Sequence, residues 1–341
     1  MIYLNDKYFI EVCYDYTDRI EREEKMLAKI SEEELLSYKG MAKMPADFDD
    51  YWKRALEEME RTDPRVEIKR VEINFNGQEC FEIYFTGVGG ARVYARYMRP
   101  VNAEKCPIVF KFHGYSARFD NWFDSLPHIS QGMCVATLDC RGQGGKSEDT
   151  VPVHGNTLHG HIIRGIDDDI DKLYYRNQFL DTAQLVKIVR EFSEIDDTRM
   201  YTMGGSQGGG LAIACAALVP DIKRVAAYEP FLSDYRYAYI NNETSSAFYE
   251  LVEYARLFDS RHEHIEETFD KLDYIDIQNL AKYVKAEVLM CSGLKDVSVN
   301  VMTQFAMFNK LNVNKKFYLY PERGHERLDG SDDLAIQWMN E

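Results

Sequence analysis

Positive charge is scarce in this sequence. Lysine and arginine together number 41, against 57 aspartates and glutamates, and the formal net charge at pH 7 is −16. A field of that sign repels nucleic acid and anionic membrane surfaces, so we expect neither as a partner. A neutral or cationic small molecule suits such a surface better.

The start of the chain lacks a basic segment followed by an apolar run. Acidic residues are mixed through residues 1–16 instead, so we predict neither a secretory signal nor a membrane-spanning helix there. This argues for a cytoplasmic protein. The sequence also contains no internal repeat and no low-complexity tract.

Cysteine occurs seven times but never as a C-x-x-C pair. A chain of 341 residues, 45% of them hydrophobic, can bury a large core without disulfide cross-links, so we expect reduced, buried cysteines. Complete sets of metal ligands are missing as well. Neither His154, His159 and His161 nor the His-Glu-His run at 262–264 makes up a zinc site, so the sequence predicts no metal and no other cofactor.

The first hundred residues contain two kinds of pattern. Residues 1–44 are predicted to form a helical arm, in which Ser31 and Glu34 match a capping box. A second helix, predicted from about 45 to 59, has apolar and aromatic residues at three- and four-residue spacing on one face. From 65 to 98 the pattern becomes alternation broken by Asn-Gly and Gly-rich turns, which predicts antiparallel strands joined by hairpins.

After residue 100, short apolar runs alternate with segments of helical period. The runs are typical of strands buried on both faces of a parallel sheet, and they lie at 108–112, 134–138, 199–203, 225–228, 288–290 and 317–320. The pattern predicts an α/β fold with a mostly parallel, doubly wound sheet led by the antiparallel hairpin. Residues 231–286 are too many for a simple crossover and predict an inserted helical cap. We therefore expect residues 45–341 to form one domain.

A single serine, Ser206, stands in Gly204-Gly205-Ser206-Gln207-Gly208, between a predicted strand and an apolar stretch. This G-x-S-x-G pattern on a strand-to-helix junction is typical of a nucleophile elbow, a sharp, strained turn that exposes the serine hydroxyl. Side chains in place of the glycines would collide with the neighbouring strand and helix. The sequence therefore predicts a serine hydrolase with Ser206 as its nucleophile.

Two later residues are in a position to assist this serine. Asp296 follows the predicted strand at 288–290, and His325 follows the last predicted strand, at 317–320. Catalytic groups collect at the carboxyl ends of parallel strands, and Ser, Asp, His is the order found in α/β-hydrolases. His325 would take the serine proton and return it to the leaving group, while Asp296 would orient the imidazole and stabilise its charged form. Taken singly, each residue also has an ordinary structural interpretation.

Attack on an ester carbonyl creates an oxyanion, which needs two backbone donors. Gln207 follows the nucleophile at the start of a predicted helix, so its N–H is one predicted donor. Tyr115 lies in a His-Gly-Tyr-Ser loop after an early strand, and we predict that it provides the second donor.

Three further features lie near these loops. Trp122 is either a pocket residue or a core aromatic, and Pro230 is a second candidate for the pocket. The run Arg-Gly-Gln-Gly-Gly at 141–145 lacks the Lys-Ser/Thr of a phosphate loop and the complete dinucleotide fingerprint. We interpret it as a structural turn behind the active-site loops.

Six segments occur together in a distinctive order: Pro45-Ala46-Asp47-Phe48-Asp49-Asp50-Tyr51-Trp52, His113-Gly114-Tyr115, Arg141-Gly142-Gln143-Gly144, Gly204-Gly205-Ser206-Gln207-Gly208-Gly209, Pro230-Phe231-Leu232-Ser233-Asp234-Tyr235 and Gly324-His325-Glu326. In these segments the chain resembles the acetyl xylan esterase and cephalosporin-C deacetylase family, carbohydrate esterase family seven. The resemblance covers about residues 45–341.

The resemblance implies an α/β-hydrolase fold, with the family's nucleophile on Ser206, its acid on Asp296, its base on His325 and its oxyanion donors on the backbone of Tyr115 and Gln207. It also implies removal of acetyl groups from small sugars such as acetylated xylo-oligosaccharides, hydrolysis of the acetyl ester of cephalosporin C, and a ring-like homo-hexamer. The chain departs from the family by lacking a Pro-Pro pair in the loop after the acid. That departure bears on how long an acyl chain the pocket can accept.

Other functions remain open on the sequence alone. A triad does not by itself choose the leaving group, so a thioesterase or a peptidase on the same scaffold is one alternative. A non-catalytic binding protein of the same fold is another. The joint presence of all three triad residues argues against that second alternative.

Overall fold

The computed structural model describes residues 2–4, 8–12, 31–73, 75–155, 160–241 and 247–341. These residues form eleven β-strands: β1 (Ile2–Leu4), β2 (Tyr8–Val12), β3 (Glu67–Val71), β4 (Gln78–Thr86), β5 (Arg92–Pro100), β6 (Cys106–Phe112), β7 (Cys134–Leu138), β8 (Ile195–Gly205), β9 (Arg224–Tyr228), β10 (Glu287–Gly293) and β11 (Lys315–Tyr320). Their α-helices are α1 (Glu32–Ser37), α2 (Phe48–Arg61), α3 (Leu126–Ser130), α4 (Tyr174–Val189), α5 (Gln207–Leu218), α6 (Tyr235–Ile240), α7 (Tyr249–Phe258), α8 (Ile265–Leu272), α9 (Ile277–Leu280), α10 (Val301–Phe308) and α11 (Ser331–Asn340). None of these helices combines the length and the hydropathy that a membrane span requires.

The strands form one sheet that changes from antiparallel to parallel across its width. Its order is β1-β2-β11-β10-β9-β8-β6-β7-β5-β4-β3. Strands β3, β4, β5 and β7 pair antiparallel, whereas β7, β6, β8, β9, β10, β11 and β2 follow one another in parallel. Every residue of β7 is buried, as expected of a strand covered on both faces. The predicted doubly wound sheet led by an antiparallel hairpin is confirmed.

Helices α2 and α5 pack in different ways. The buried positions of α2 recur at three- and four-residue spacing, so one face packs down as predicted: Phe48, Tyr51, Trp52, Ala55 and Met59. Trp52 also donates a hydrogen bond from Nε1 to the backbone oxygen of Tyr274 (3.1 Å), which ties α2 to the inserted helices. Helix α5 is buried on all sides because it packs against β8, β9 and α4.

The predicted helical arm differs in part from the structure. Glu32–Ser37 is helical, and its capping box is confirmed: Glu34 N donates to Ser31 Oγ (3.1 Å) and Ser31 N donates to Glu34 Oε2 (2.8 Å). Residues 2–4 and 8–12 form strands instead, and β2 extends the sheet in parallel with β11. Aromatic and β-branched residues at 8–12, beside an otherwise open sheet edge, favour strand pairing over helix. The boundary between arm and domain stays a prediction.

Four of the described α-helices lie between β9 and β10, within the range 231–286 for which we predicted a cap. They are α6 to α9. Glu250, a buried residue of α7, accepts a hydrogen bond from the hydroxyl of Tyr115 in the loop after β6. The cap therefore contacts the edge of the sheet at which β6 and β8 end.

Candidate active site

Ser206 forms the junction between β8 and α5. Its dihedral angles, φ 56° and ψ −122°, are ones that non-glycine residues rarely adopt, so the turn is strained. Three backbone hydrogen bonds hold it in place, one of them from Gly210 N to Ser206 O (3.1 Å). Ser206 N donates to Tyr228 O (2.8 Å), and Phe231 N donates to Ser206 O (3.0 Å). The serine therefore has the geometry of the predicted elbow.

The glycines beside Ser206 are required by close packing. A Cβ atom at Gly208 would lie 2.0 Å from the backbone oxygen of Phe112, and one at Gly204 would lie 2.5 Å from the backbone carbon of Gly208. Neither approach is sterically allowed. A side chain at either position would push α5 away from β6 and β8.

Asp296 and His325 are joined by a direct hydrogen bond. His325 Nδ1 lies 2.8 Å from Asp296 Oδ2, and Asp296 Oδ1 accepts from the backbone N–H groups of Ser298 (2.9 Å) and Val299 (2.8 Å). Because both oxygens have partners, the buried carboxylate has a fixed orientation. Burial acts to lower the pKa of His325, but the hydrogen bond and charge of Asp296, together with the charge of Glu229, outweigh it and raise the pKa.

The three residues predicted for catalysis lie at one edge of the sheet. Strands β8, β9, β10 and β11 are adjacent and parallel, so their carboxyl ends meet at the same edge. Ser206, Asp296 and His325 follow β8, β10 and β11. The fold thus brings Asp296 and His325 into contact and places Ser206 two strands away from Asp296, on the same edge.

A second carboxylate reaches the same histidine. Glu229 directly follows β9, the strand between those that precede Ser206 and Asp296, and its Oε2 lies 3.6 Å from His325 Nδ1. Burial raises the pKa of Glu229 to about 7; the charge of His325 opposes this rise and that of Asp296 adds to it. Glu229 was not among the predicted site residues. An acidic residue directly after a predicted strand was nevertheless a usable signal.

The two predicted oxyanion donors are the backbone N–H groups of Tyr115 and Gln207. Gln207 is the first residue of α5, where N–H groups have no acceptor within the helix. Over the described ranges of the chain, neither N–H donates to a protein acceptor. Neither group is therefore committed to a protein acceptor.

Gln143 connects the loop that carries Tyr115 to the elbow. Its Oε1 accepts from Ser116 N (2.9 Å), and its Nε2 donates to Gln207 Oε1 (2.8 Å). The hydroxyl of Tyr175 donates to the same Gln207 oxygen (2.9 Å). The contact between the Gln143 and Gln207 amides joins the two segments that carry the predicted donors. The Arg-Gly-Gln run is a structural turn, as we predicted, and it also reaches the site.

Arg141 anchors that turn in the core. Its buried guanidinium makes two parallel hydrogen bonds to Asp181, from Nε to Oδ2 (2.5 Å) and from Nη2 to Oδ1 (2.7 Å), and a third from Nη1 to Val88 O (2.7 Å). The Tyr174 hydroxyl donates to the backbone oxygen of Arg141 (2.5 Å). A bidentate pair of this kind restrains orientation as well as position. It therefore fixes the backbone two residues before Gln143.

The cap holds Tyr115 from the opposite side. The Tyr115 hydroxyl donates to Glu250 and accepts from His161 N (2.9 Å). Glu250 also accepts from the backbone N–H groups of Ile162 (3.0 Å) and Ile163 (3.1 Å). Burial raises the pKa of Glu250 to about 7, while the hydrogen bond from Tyr115 acts to lower it. A cap residue thus restrains the loop that carries a predicted oxyanion donor.

The two candidate pocket residues have different surroundings. Trp122 packs beside a small apolar cluster on β4, β5 and β7, and the guanidinium of Arg96 lies 5.2 Å from its ring centre. These contacts favour the core-aromatic alternative for Trp122. Pro230 is buried, and its Cα lies 3.1 Å from the position that a Cβ on Gly209 would occupy, so it borders the elbow.

The histidines near residue 160 have partners other than a metal. His154 Nδ1 lies 2.8 Å from Asp168 Oδ1, and the ring of His161 stacks on Tyr174 with 4.8 Å between centroids. His159 lies outside the described residues. Elsewhere in the described ranges, Glu229, Asp296 and His325 each bring one possible ligand atom within 4.8 Å of the others. Within this group, Asp296 and His325 are already joined by a hydrogen bond.

Treatment with EDTA is expected to leave hydrolysis of p-nitrophenyl acetate unchanged. A serine activated by an imidazole needs no Lewis acid, since the serine oxygen supplies the nucleophile. The rate is measured before and after dialysis against the chelator, with a zinc-dependent esterase as the positive control. Loss of activity that zinc restores would contradict the prediction.

The fold and this site define an α/β-hydrolase: a mostly parallel sheet with a strained serine elbow after β8, an acid after β10 and a histidine after β11. Within that class, the chain belongs to the acetyl xylan esterase (AXE1) family, whose model matches residues 26–341. It is therefore a carboxylic ester hydrolase. Family membership favours this function over a thioesterase, a peptidase or a non-catalytic binding protein.

Three relatives illustrate the similarity. The acetyl xylan esterase 1 structure from Thermoanaerobacterium sp. JW/SL YS485 is 47% identical, with a TM-score of 0.89 over 91% of this chain and 98% of that one. The acetyl xylan esterase structure from Paenibacillus sp. R4 is 28% identical, with a TM-score of 0.87 over 91% and 99%. The acetyl esterase Axe7A from Xylanibacter ruminicola is 21% identical over 309 residues, which are 88% of this chain and 68% of that protein.

Proposed function

We propose that this protein is a serine esterase that removes acetyl groups from small acetylated sugars, such as xylo-oligosaccharides, and that it also accepts the acetyl ester of cephalosporin C. The observation that carries the proposal is the 2.8 Å contact between His325 Nδ1 and Asp296 Oδ2, at the sheet edge that also holds Ser206. Membership of the acetyl xylan esterase family supports acetyl as the acyl group that is removed. The negative net charge suits a neutral sugar.

The proposed mechanism passes through an acetyl-enzyme. His325 accepts the Ser206 proton at Nε2 as the serine oxygen attacks the acetyl carbonyl, and it then donates that proton to the departing sugar oxygen. Water attacks the acetyl-enzyme by the same route and releases acetate. The bond to Asp296 supports this role because it holds the Nδ1–H tautomer and stabilises the imidazolium.

Charge on the carbonyl oxygen would be stabilised by the N–H groups of Tyr115 and Gln207. In support, both donors lack protein acceptors across the described residues, and Gln143 connects the two segments that carry them. Donors of this kind act without reorganising during the reaction. We assign the remaining restraint on Tyr115 to Glu250 of the cap.

We further propose a cytoplasmic protein that assembles as a homo-oligomer. Only the family resemblance supports a hexameric ring. Sedimentation equilibrium of the purified protein would count the subunits.

Catalytic efficiency is expected to fall steeply from p-nitrophenyl acetate to propionate and butyrate. The loop after Asp296 has no prolines, but hydrogen bonds restrain it: Asn300 Oδ1 accepts from Met302 N (2.9 Å) and Gln304 Nε2 donates to Val299 O (2.9 Å). A restrained wall excludes longer acyl chains, each of whose methylenes would otherwise gain about 0.8 kcal/mol by burial. The measurement is kcat/KM for acetate, propionate, butyrate and octanoate esters, with a peptide and an acyl thioester run alongside.

A matched variant tests the cause of this selectivity. Asn300→Ala removes the side chain that caps α10, which should destabilise the start of the helix by about 1 kcal/mol. The ratio of kcat/KM for butyrate to kcat/KM for acetate should then rise. An optimum at octanoate in the unmodified protein would contradict the acetyl preference. Faster turnover of the peptide or the thioester would contradict the proposed ester substrate.

A further inference from the structure

Glu229 occupies a constrained position beside the histidine. Its backbone has φ 44°, in the left-handed region, and its N–H donates to Cys291 O on β10 (2.9 Å). The side chain is part of a residue only 6% exposed. Strain retained at a buried, charged residue is characteristic of functional sites. The backbone here directs a carboxyl group towards His325 rather than towards solvent.

The carboxyl group of Glu229 has two partners, both in the loop after β11. Oε1 accepts from the backbone N–H of Glu326 (3.3 Å), and Oε2 lies 3.6 Å from His325 Nδ1. Asp296 Oδ2 is closer to the same nitrogen, at 2.8 Å. Asp296 therefore makes the hydrogen bond, and Glu229 adds a second negative charge from the neighbouring strand.

We propose that Glu229 is a positioning residue that shares with Asp296 the control of the His325 imidazole, and that it partly replaces Asp296 when that acid is removed. This inference rests on the proposed esterase function. Glu229 would not touch the substrate. Its effect would pass through the orientation and basicity of His325.

The surrounding charges suit such a role. The groups that face His325 and Glu229 are Asp296 after β10 and Glu326, whose exposed carboxylate lies 3.5 Å from Arg323. Burial and the charge of Asp296 favour the protonated form of Glu229 while the histidine is neutral. When His325 gains the serine proton, its positive charge favours ionisation of Glu229. In its ionised form, Glu229 adds its negative charge to that of Asp296 in stabilising the imidazolium.

The first test compares Glu229→Gln with the control Glu67→Gln, whose exposed carboxylate lies on β3 beside Arg92. Glutamine keeps the acceptor for Glu326 N but removes the charge beside His325. The pKa of His325 should then fall, so the acidic limb of the kcat/KM profile should move to lower pH. We also expect the plateau kcat to drop about tenfold with little change in KM. A tenfold drop is what results when the imidazolium loses stabilisation equivalent to about one pKa unit. Glu67→Gln, which removes an exposed charge outside the site, should leave both quantities near the wild-type values.

The second test uses a double-mutant cycle. Loss of the acid partner in a Ser-His-Asp triad lowers kcat by about 10⁴ where no substitute is present. With Glu229 in place, we expect Asp296→Asn to lose only about 10² to 10³. Glu229→Gln should then reduce the rate more in the Asp296→Asn background than in the wild type. Strictly additive effects, or no shift of the pH profile in Glu229→Gln, would overturn the proposal.

A third measurement separates this inference from the proposed function. NMR titration of ¹³C-labelled histidine gives the His325 pKa in the Ser206→Ala background, without any turnover. A lower pKa with Glu229→Gln supports the positioning role even if acetyl esters prove not to be substrates; an unchanged pKa in an active esterase refutes it. Should Glu229→Gln fold poorly by circular dichroism, Glu229→Asp replaces it. The shorter acid should shift the pKa in the same direction by a smaller amount.

Discussion

Ser206→Ala should lower kcat for p-nitrophenyl acetate by several orders of magnitude. The serine oxygen is the proposed nucleophile, so its removal leaves only the contributions of the oxyanion donors and substrate binding, on the order of 10³ to 10⁴ over the reaction in water. The free energy of unfolding should change little. Alanine meets the same backbone strain as serine at φ 56°, and the serine side chain makes no capping hydrogen bond to α5. Steady-state kinetics and urea denaturation measure the two quantities.

The matched control lies at the other end of the same strand. Ser193 is exposed and precedes β8, whereas Ser206 follows it. Ser193→Ala should keep full activity and full labelling by a fluorophosphonate probe, and Ser206→Ala should lose both. Near-wild-type turnover by Ser206→Ala would remove this serine from the mechanism.

Arg141→Met is expected to destabilise the protein by about 3 to 5 kcal/mol, because it leaves the buried carboxylate of Asp181 without its partner. Folded domains are usually stable by about 5 to 15 kcal/mol, so this loss is a large share of the total free energy of unfolding. The guanidinium also donates to Val88 O, so a third hydrogen bond is lost. The free energy of unfolding from urea denaturation is the readout.

Two further variants identify the cause of that destabilisation. Arg141→Met combined with Asp181→Leu removes both charges, so it should recover much of the lost stability. Arg327→Met breaks an exposed pair with Asp332 and should cost less than about 1 kcal/mol. An Arg141→Met protein as stable as the Arg327→Met control would show that the buried pair contributes little.

The elements that sequence patterns predicted well are those specified by local spacing. The run at 134–138 became β7 with the same bounds, and the run at 199–203 lies within β8. The capping pattern of Ser31 and Glu34 needs only residues three apart, and both of its hydrogen bonds are present. The strand at 8–12 was missed because its pairing depends on the distant edge of β11, and the strand at 2–4 pairs with that strand in turn.

The candidate site divides in the same way. Ser206, Asp296 and His325 could be predicted because each has a recognisable place after a strand, and their order along the chain is characteristic. The contact of Glu229 with His325 could not be predicted from spacing, since the two residues are 96 positions apart by their numbers in the chain. Trp122 was equally ambiguous, because an aromatic side chain after a loop packs either into a pocket or into the core.

The sequence by itself determined the α/β order of elements, the strained serine turn and the residue types needed for acyl transfer, because each depends on neighbours a few positions away. Tertiary structure alone decided which of those side chains meet. The parallel order of β8, β9, β10 and β11 places Glu229 beside the pair of Asp296 and His325, and the packing of α4 places Asp181 against Arg141. Contacts of this kind depend on strand order and on burial of charge across the sheet, which no local pattern encodes.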